Sequence, residues 1–508
     1  MLKDQLLDSY ELRELRLLDE LYINTGKVDK ETLKSKLSVS QNVLFNIVES
    51  INFRLSNHFG TKWIQYKKNL NTFVLSDHGY SKLGEILGIY AATSINYLLI
   101  REYLEQRSVS AEYLTRTLQI SRADLYRRMK RINLVLKQFD IEIKDNQLKG
   151  NELQLRYFEH IFYQNIFPAE YLFYNPQDYI QFEHLFKHLE SYYGADLKPM
   201  QKAKLSLWFS NLLKNRQKNR EVGEISTCLR QYLKNNIFYN EFTEILINFF
   251  KLFQIELTEI DKVSSYLFNL SFFTVPSSSD KIKDMIVYSI ERKDIVGQSI
   301  ADLNSCSAKR LFPDEYECDF SLHSRMFYLY YIFNCHHCSL FFKGYISHLD
   351  STLLHFYQEY NYKDIVVRDW IDSWCMKEAY NHTFLRENKE FILHKYLLYI
   401  YHEQSLIKLP LRIGVLLFID PLMEVMVIDR LQLELSKEHD VQVESYQETK
   451  KYDLVVVNVP NRLKKNNFKE EFVITGMGTP CDGKKICERI FDLQANRLKQ
   501  DYREADLS

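Results

Sequence analysis

Glycine, proline and cysteine are scarce in this 508-residue chain, which has 14 Gly, 9 Pro and 8 Cys. Few helix breakers, together with 35 Tyr and 33 Phe, indicate a mostly helical protein with short connections and aromatic-rich cores. The cysteines are scattered along the sequence, which excludes a disulfide framework and is typical of a reducing cytosol. A chain of this length predicts several domains.

A secretion signal and a membrane span are also missing. The N-terminal residues MLKDQLLDSYELREL are charged and have no apolar core, so we expect no signal peptide. The most apolar stretch, Met326 to Phe342, is interrupted by Asn334, His336 and His337 and is too short to cross a bilayer. We therefore expect a soluble, cytoplasmic protein without a membrane partner.

Metal-ligand residue types cluster at Cys335-His336-His337-Cys338. On a helix the two cysteines share one face while the two histidines point elsewhere, so four ligands do not converge. The sequence has no second Cys-x-x-Cys motif that could complete a tetrahedral site. We therefore predict neither a metal nor a cofactor.

Positive charge is concentrated between Arg107 and Lys137, although the whole chain has a formal net charge of −1. The basic residues of this stretch are Arg107, Arg116, Arg122, Arg127, Arg128, Lys130, Arg131 and Lys137, against Glu112 and Asp124, which gives 8 minus 2, or +6. A charge run on a helix is often only a solvated face, and that interpretation stays open. A basic stretch that coincides with a DNA-binding motif favours a functional role.

The pattern of this stretch is that of a winged helix-turn-helix. Ala111 to Leu118 predicts a short helix, and Gln119-Ile120-Ser121 a tight turn in which Ser121 is the N-cap of the next helix. That second helix runs from Arg122 to Phe139, and Ile141 to Gly150 predicts a hairpin that turns at Asp145-Asn146. The apolar face of this second helix consists of Leu125, Met129, Ile132, Leu136 and Phe139. Short helix, turn, basic helix and hairpin are the parts of that motif.

We predict that this unit binds double-stranded DNA. Residues in the first turn of the second helix face base edges, and its basic residues neutralise phosphates. The predicted contacts are Ser121, Arg122, Ala123, Tyr126, Arg127, Arg128, Lys130 and Arg131.

The N-terminal residues 1–77 repeat this pattern. Helices are predicted at Tyr10–Tyr22, Lys30–Leu37 and Gln41–Leu55, followed by a hairpin over Lys62–Leu75. A helix from Tyr80 to Leu104 joins this module to the second one, which we assign to residues 78–156. The first module has fewer charges, and its predicted DNA contacts are Ser40, Gln41, Asn42, Lys67 and Lys68.

Downstream, helical periodicity continues to Leu409 and then stops. The break Val275-Pro276-Ser277-Ser278-Ser279-Asp280 divides this region into two helical bundles, residues 157–278 and 279–409. Strands alternate with helices in residues 410–508, which predicts a small α/β domain with a parallel sheet. The predicted fold class is therefore mainly α, with five domains.

This order of domains resembles the Mga/AtxA/RofA-like transcription regulators of Gram-positive bacteria, and most closely the RofA-like streptococcal branch. The resemblance is most specific at Leu114–Ile132 and Leu33–Phe53. It implies two DNA-binding winged modules, two phosphotransferase-system regulation domains (PRD-like) and a C-terminal EIIB-like domain. It further implies a non-enzymatic regulator of surface or virulence genes that forms a homodimer or higher oligomer.

The resemblance also implies that sugar phosphotransferase-system phosphocarrier proteins are partners and phosphorylate histidines of the helical bundles. The candidate phosphorylation sites are His184, His188, His323 and His355. EIIB enzymes carry a phosphoryl-accepting cysteine directly after the first strand. Here that loop reads Phe418-Ile419-Asp420-Pro421, so we do not expect phosphotransfer by this domain.

Two other classes of protein share parts of this pattern. An RNA-binding antiterminator has the same regulation domains but opens with a small β-rich RNA-binding domain, and the helical start at Tyr10–Tyr22 argues against it. A phosphocarrier enzyme is disfavoured by the missing loop cysteine. A comparison of binding to duplex DNA and to hairpin RNA distinguishes a DNA-binding regulator from the antiterminator. Turnover of acid-labile phosphate would identify a phosphocarrier enzyme.

Overall fold

The computed structural model describes residues 6–24, 26–60, 62–76, 86, 88–90, 93–166, 176–216, 225–302, 322–344, 361–406, 411–437, 439, 441–459, 467–474, 479 and 482–493. The chain forms two compact units. The first comprises Met1–Ile300, Ser324–Ser351 and Cys375–Ile392, and the second Ala301–His323, Thr352–Trp374 and Leu393–Ser508. Every helix within these described ranges is too short or too polar to cross a bilayer.

Three helices open the first unit: α1 (Ser9–Ile23), α2 (Lys30–Leu37) and α3 (Gln41–Phe59). The Asp29 carboxylate accepts the N–H of Thr32 at 2.9 Å and caps α2, and the Ser40 hydroxyl caps α3. These three predicted helices are confirmed. α3 is longer than predicted because it ends only at Gly60, whose φ of 73° is left-handed.

A three-stranded antiparallel sheet completes this first winged module. Its strands are β1 (Lys27–Asp29), β2 (Ile64–Lys67) and β3 (Thr72–Leu75), in the order β1-β3-β2. The predicted hairpin over Lys62–Leu75 is therefore confirmed. β1 escaped prediction because three residues are too few to show an alternating pattern.

We had predicted one continuous helix over the joining segment Tyr80–Leu104. That prediction is wrong. Residues 77–85 lie outside the described ranges, and α4 (Ile95–Gln106) begins after Ser94. Ser94 has ψ 126°, an extended conformation that interrupts the helical backbone. Serine is a favoured N-cap residue, and the apolar periodicity on both sides of it concealed this boundary.

The second winged module consists of α4, α5 (Ala111–Leu118), α6 (Arg122–Leu136), β4 (Ile141–Lys144) and β5 (Gln147–Gly150). Its predicted helices and hairpin are confirmed, and the five residues of the predicted apolar face are buried. The final turn of the predicted second helix is a 3-10 turn, Lys137–Phe139. Asp145 and Asn146 have φ of 53° and 60°, as a two-residue type I′ turn requires.

The helix-turn-helix parts of the two winged modules align at an offset of 81 residues (Ser40 to Ser121, Asn52 to Asn133), whereas the hairpin residues that the asparagines contact are offset by 79 (Ile64 to Ile143). In both modules the asparagine attaches the second helix of the helix-turn-helix, α3 or α6, to the hairpin. Asn133 accepts the N–H of Ile143 at 2.7 Å and donates to its carbonyl at 2.8 Å. Asn52 accepts the N–H of Ile64 at 2.9 Å and donates to its carbonyl at 2.8 Å. This shared contact supports the duplication inferred from the sequence.

The middle of the chain is helical, as predicted. The elements are α7 (Glu152–Ile166), α8 (Pro176–Tyr193), α9 (Pro199–Arg216), α10 (Thr227–Leu233), α11 (Ile237–Lys251), α12 (Glu259–Ser271), α13 (Asp280–Arg292), α14 (295–302), α15 (Leu322–Phe341), α16 (Asn361–Cys375) and α17 (Lys389–Leu406). α12 ends before the Val275–Asp280 break and α13 begins at its last residue. The five domain boundaries remain predictions.

The C-terminal region is an α/β structure with a sheet of four parallel strands, as predicted. Its elements are β6 (Leu411–Leu416), α18 (Pro421–Leu435), β7 (Val441–Ser445), β8 (Tyr452–Val457), β9 (Phe468–Val473) and α19 (482–493). The strand order is β7-β6-β8-β9. Val427, Leu431 and Leu435 of α18 pack on one face of this sheet.

Candidate nucleic-acid interface

The N-terminal half of α6 presents a polar and basic surface to solvent. Ser121 caps the helix, since its hydroxyl accepts the N–H of Asp124 at 3.1 Å. The predicted contact residues Ser121, Arg122, Ala123, Tyr126, Arg127 and Lys130 are all exposed. Arg127 is the most open of the ion-paired arginines of α6, with 78% of its side chain accessible. This face therefore brings most of the predicted DNA contacts together.

Ion pairs on this face are local and exposed. Arg122 pairs with Glu112 of α5, and Arg127 lies 2.5 Å from the carboxylate of Asp124. Burial pushes the pKa of Asp124 upward, but hydrogen bonds from Arg127 and Arg128 outweigh it and lower that pKa. Exposed ion pairs contribute at most about 1 kcal/mol, so a phosphate can replace the carboxylate as partner of Arg122 or Arg127 at little cost.

We had predicted that Arg128 contacts DNA from the exposed face of α6. In the structure its side chain is mostly buried. Only 13% of its side chain is accessible. Its guanidinium lies 3.0 Å from the carboxylates of Asp124 and Asp8 and donates to the Asn96 side chain at 3.0 Å. Asp8 is the N-cap of α1 and Asn96 lies in the first turn of α4. Arg128 therefore anchors α6 to two other helices, α1 and α4.

Arg131 shares this anchoring role in part. Its guanidinium donates to the carbonyl of Leu7 at 2.6 Å and lies 3.5 Å from the Asp8 carboxylate, while 42% of its side chain stays accessible. The expected phosphate contact therefore competes with contacts inside the protein. The sequence could not show this, because the acceptors lie more than one hundred residues away (Leu7 to Arg131).

The first winged module presents amides where the second presents cations. Ser40, Gln41 and Asn42 are exposed at the start of α3, and Lys67 and Lys68 are exposed at the hairpin. Sequence analysis missed Asn46, which is also exposed on α3 and corresponds to Arg127 at the repeat offset. Amide side chains pair with the edge of adenine, so this surface suits base contacts more than phosphate contacts.

A buried polar cluster holds α3 in place. The carboxylate of Glu14 accepts hydrogen bonds from Ser50 and Tyr90, each at 2.5 Å, and lies 3.3 Å from Arg54. The Arg54 guanidinium also lies 4.5 Å from the centroid of the Tyr90 ring. Burial, followed by the neighbouring Glu14 carboxylate, raises the pKa of Tyr90, so its hydroxyl remains a donor. Arg54 is therefore a structural residue.

A second buried ion cluster connects the second winged module to the helical region. Arg156 of α7 lies 2.9 Å from Glu152 and 2.8 Å from Asp261 of α12. Arg107, which ends α4, lies 3.8 Å from the same Glu152 carboxylate. These ion pairs join α12, through α7, to the end of α4.

The candidate phosphorylation sites fall into two groups. His184 and His188 are exposed on α8, with ring centroids 4.7 Å apart. The side chain of His323 and all of His355 lie outside the described residues.

His336 and His337 are fully buried, as expected for core residues. Burial lowers the pKa of His336 to about 3 and that of His337 to about 4, so both are neutral at physiological pH. Cys335 and Cys338 are buried beside them. Within the described ranges, no group of three or more His, Cys, Asp or Glu side chains is arranged to hold a metal ion.

Residues 80–163 match the family model described as the Mga helix-turn-helix domain. The match covers α4, α5, α6, the hairpin β4-β5 and most of α7, and it supports the predicted resemblance to Mga-like regulators. α6 therefore lies within the matched helix-turn-helix domain. A comparison with curated proteins found no match to the chain.

We predict that Arg128→Ala destabilises the second winged module by about 2 kcal/mol, because it leaves the carboxylates of Asp8 and Asp124 without their shared partner. Arg127→Ala removes only an exposed pair and should change stability by less than about 0.5 kcal/mol. Thermal unfolding followed by circular dichroism compares the two variants. Equal midpoints would refute the anchoring role of Arg128.

Proposed function

We propose that this chain, which carries a Mga helix-turn-helix domain, is a transcription regulator that binds double-stranded DNA with both winged modules. One observation carries the proposal. Arg128 fixes one side of α6 by its ion pair with Asp8, while Arg127 and Lys130 on the other side are exposed. A recognition helix needs this combination, since a fixed helix positions its side chains in the groove and exposed cations bind phosphates.

The roles of the exposed residues follow from their chemistry. Arg127 and Lys130 bind phosphates, while Arg122 and Tyr126 at the start of α6 contact base edges. In the first module Gln41 and Asn42 contact bases, and Lys67 and Lys68 bind backbone phosphates.

The RNA-binding antiterminator gains no support. α1 and the first winged module occupy the region where that class has a β-rich RNA-binding domain. Surface or virulence genes as targets follow only from the resemblance. Genome-wide crosslinking of the protein to DNA tests that point, and binding confined to unrelated promoters would contradict it.

Salt dependence tests the phosphate contacts. Each contact adds about 0.9 to the slope of log affinity against log salt, so Arg127→Ala with Lys130→Ala should reduce that slope by about 2 and weaken binding at least about tenfold. The measurement is fluorescence anisotropy on a mixed-sequence duplex over a range of salt concentrations.

Arg230→Ala with Lys251→Ala is the control, because it removes the same charge from exposed positions of α10 and α11. An unchanged slope in the folded α6 variant would show that these side chains do not bind phosphates. An equal reduction in the control would show that only net charge matters.

We further propose that phosphorylation of His184 or His188 regulates the protein. A phosphoacceptor histidine needs an accessible ring nitrogen, and both side chains are exposed. The rings of His336 and His337 are covered and bonded to Ser299 and Tyr232, each at 2.7 Å. A phosphoryl group adds close to two negative charges, which is enough to rearrange a helical surface.

Incubation with phosphoenolpyruvate and the general phosphotransferase proteins, followed by mass spectrometry, tests this proposal. We expect acid-labile phosphate on α8 that is lost in His184→Ala with His188→Ala. Label only on His323 or His355 would keep a phosphorylation switch and discard the α8 pair. No labelled histidine at all would refute the switch.

We also propose that the C-terminal region forms a homodimer through α18. Its outer face carries large apolar side chains, including Leu422, Met426 and Leu433, which are 69%, 60% and 69% exposed. Met423 and Val425 extend this apolar surface. Contiguous apolar patches of this kind mark protein interfaces. A two-fold dimer would place two pairs of winged modules on one duplex.

Sedimentation velocity tests the dimer. Met426→Asp with Leu433→Asp places two charges in the proposed interface and should raise the dimer dissociation constant at least about tenfold. Gln442→Asp, at an exposed position of β7, is the control and should leave it unchanged. A dimer that survives the α18 substitutions would rule out this interface.

A further inference from the structure

One polar cavity of the first unit is lined by none of the residues proposed to contact DNA. It has a volume of about 780 Å³ and lies between α10, the connection from α13 to α14 and the segment around His382. Its charged lining residues are Arg292, Lys293 and Asp294. A cavity of this size accommodates a metabolite.

Two buried polar atoms at this cavity lack partners among the described residues. Arg292 donates through Nη2 to the carbonyls of Gln231 and Lys234, but its Nη1 has no hydrogen-bond partner. Asp294 accepts three hydrogen bonds through Oδ1, yet its Oδ2 has none. Buried polar atoms are almost always bonded, so the unpaired donor and the unpaired acceptor would both gain a partner if these side chains turned toward a ligand in the cavity.

We propose that this cavity binds a sugar phosphate or a related phosphorylated polyol. The guanidinium of Arg292 and the ammonium of Lys293 attract the phosphate, and a guanidinium fork matches phosphate oxygens. If the Asp294 carboxylate turns toward the cavity, its unpaired Oδ2 accepts a hydroxyl of the ligand. Gln231 and Gln298 also line the cavity and pair with further hydroxyls.

A second cavity of about 200 Å³ adjoins this one, since Ser226, Cys228 and His382 line both. Its far end is lined by Asp140 and Asn151, which lie on either side of the hairpin β4-β5. The Asp140 carboxylate also lies 3.3 Å from the ammonium of Lys343, two residues beyond the end of α15. A ligand in these cavities is therefore placed to affect the base of the second winged module.

Alkylation of Cys228 measures occupancy directly. Its half-buried thiol lines both cavities, and burial raises its pKa, so alkylation with N-ethylmaleimide is run at mildly alkaline pH. The probes are glucose 6-phosphate, fructose 1,6-bisphosphate and 6-phosphogluconate, compared with glucose and inorganic phosphate. We expect at least one sugar phosphate to slow alkylation of Cys228 about fivefold or more at millimolar concentration, with Cys487 of the second unit unaffected.

Variants identify the site. Lys293→Gln, at an exposed position, and Arg292→Lys, which keeps the charge but loses the fork, should each weaken protection about tenfold. Lys251→Gln, outside the cavity, should leave it unchanged. The readout needs no DNA, so it succeeds or fails independently of the proposed function.

Three results would overturn the proposal. One is that none of the sugar phosphates protects Cys228 at roughly 10 mM, a concentration at which even a weak complex forms. Another is full protection in both cavity variants. The third is equal protection by inorganic phosphate alone, which would reveal an anion site without recognition of hydroxyls.

Discussion

The position of α6 depends on the ion cluster in which Arg128 bridges Asp8 and Asp124. A mostly buried guanidinium with several acceptors has one favourable position, because loss of any partner leaves a carboxylate incompletely paired. Asn96 adds a neutral acceptor from α4 to the same group. The cluster thus joins the starts of α1 and α4 to α6, and it determines which arginines remain available to DNA. The basic stretch therefore has a structural side and an exposed side, and we propose that the exposed side binds DNA.

In the first winged module, different residues fix the corresponding helix α3. At the repeat offset Ile47 stands in place of Arg128, and Ser50 in place of Arg131. There the charged group is the buried carboxylate of Glu14, which Ser50 and Arg54 contact from α3. With its arginine used internally, α3 exposes amides rather than cations. We infer that the two modules contact DNA differently: the second supplies most of the phosphate binding, and the first adds base contacts.

Local sequence signals predicted the elements but not their partners. Caps such as Ser121, the Asp145-Asn146 turn and apolar periodicity depend on neighbouring residues, so these helices, hairpins and parallel strands could be predicted. β1 and the interruption at Ser94 escaped because one is very short and the other lies within continuous apolar periodicity. The anchoring of Arg128 and the cavity beside Arg292 depend on residues far apart in sequence, which no local pattern reveals.

Photocrosslinking to a bromodeoxyuridine-substituted duplex tests most directly the claim that the exposed side of α6 contacts DNA. The crosslinked peptides are identified by mass spectrometry after nuclease and protease digestion. We expect crosslinks within residues 121–130 and at the start of α3, because these exposed residues face the groove in the proposed complex. Crosslinks confined to the helical middle or to the C-terminal α/β region would contradict the account.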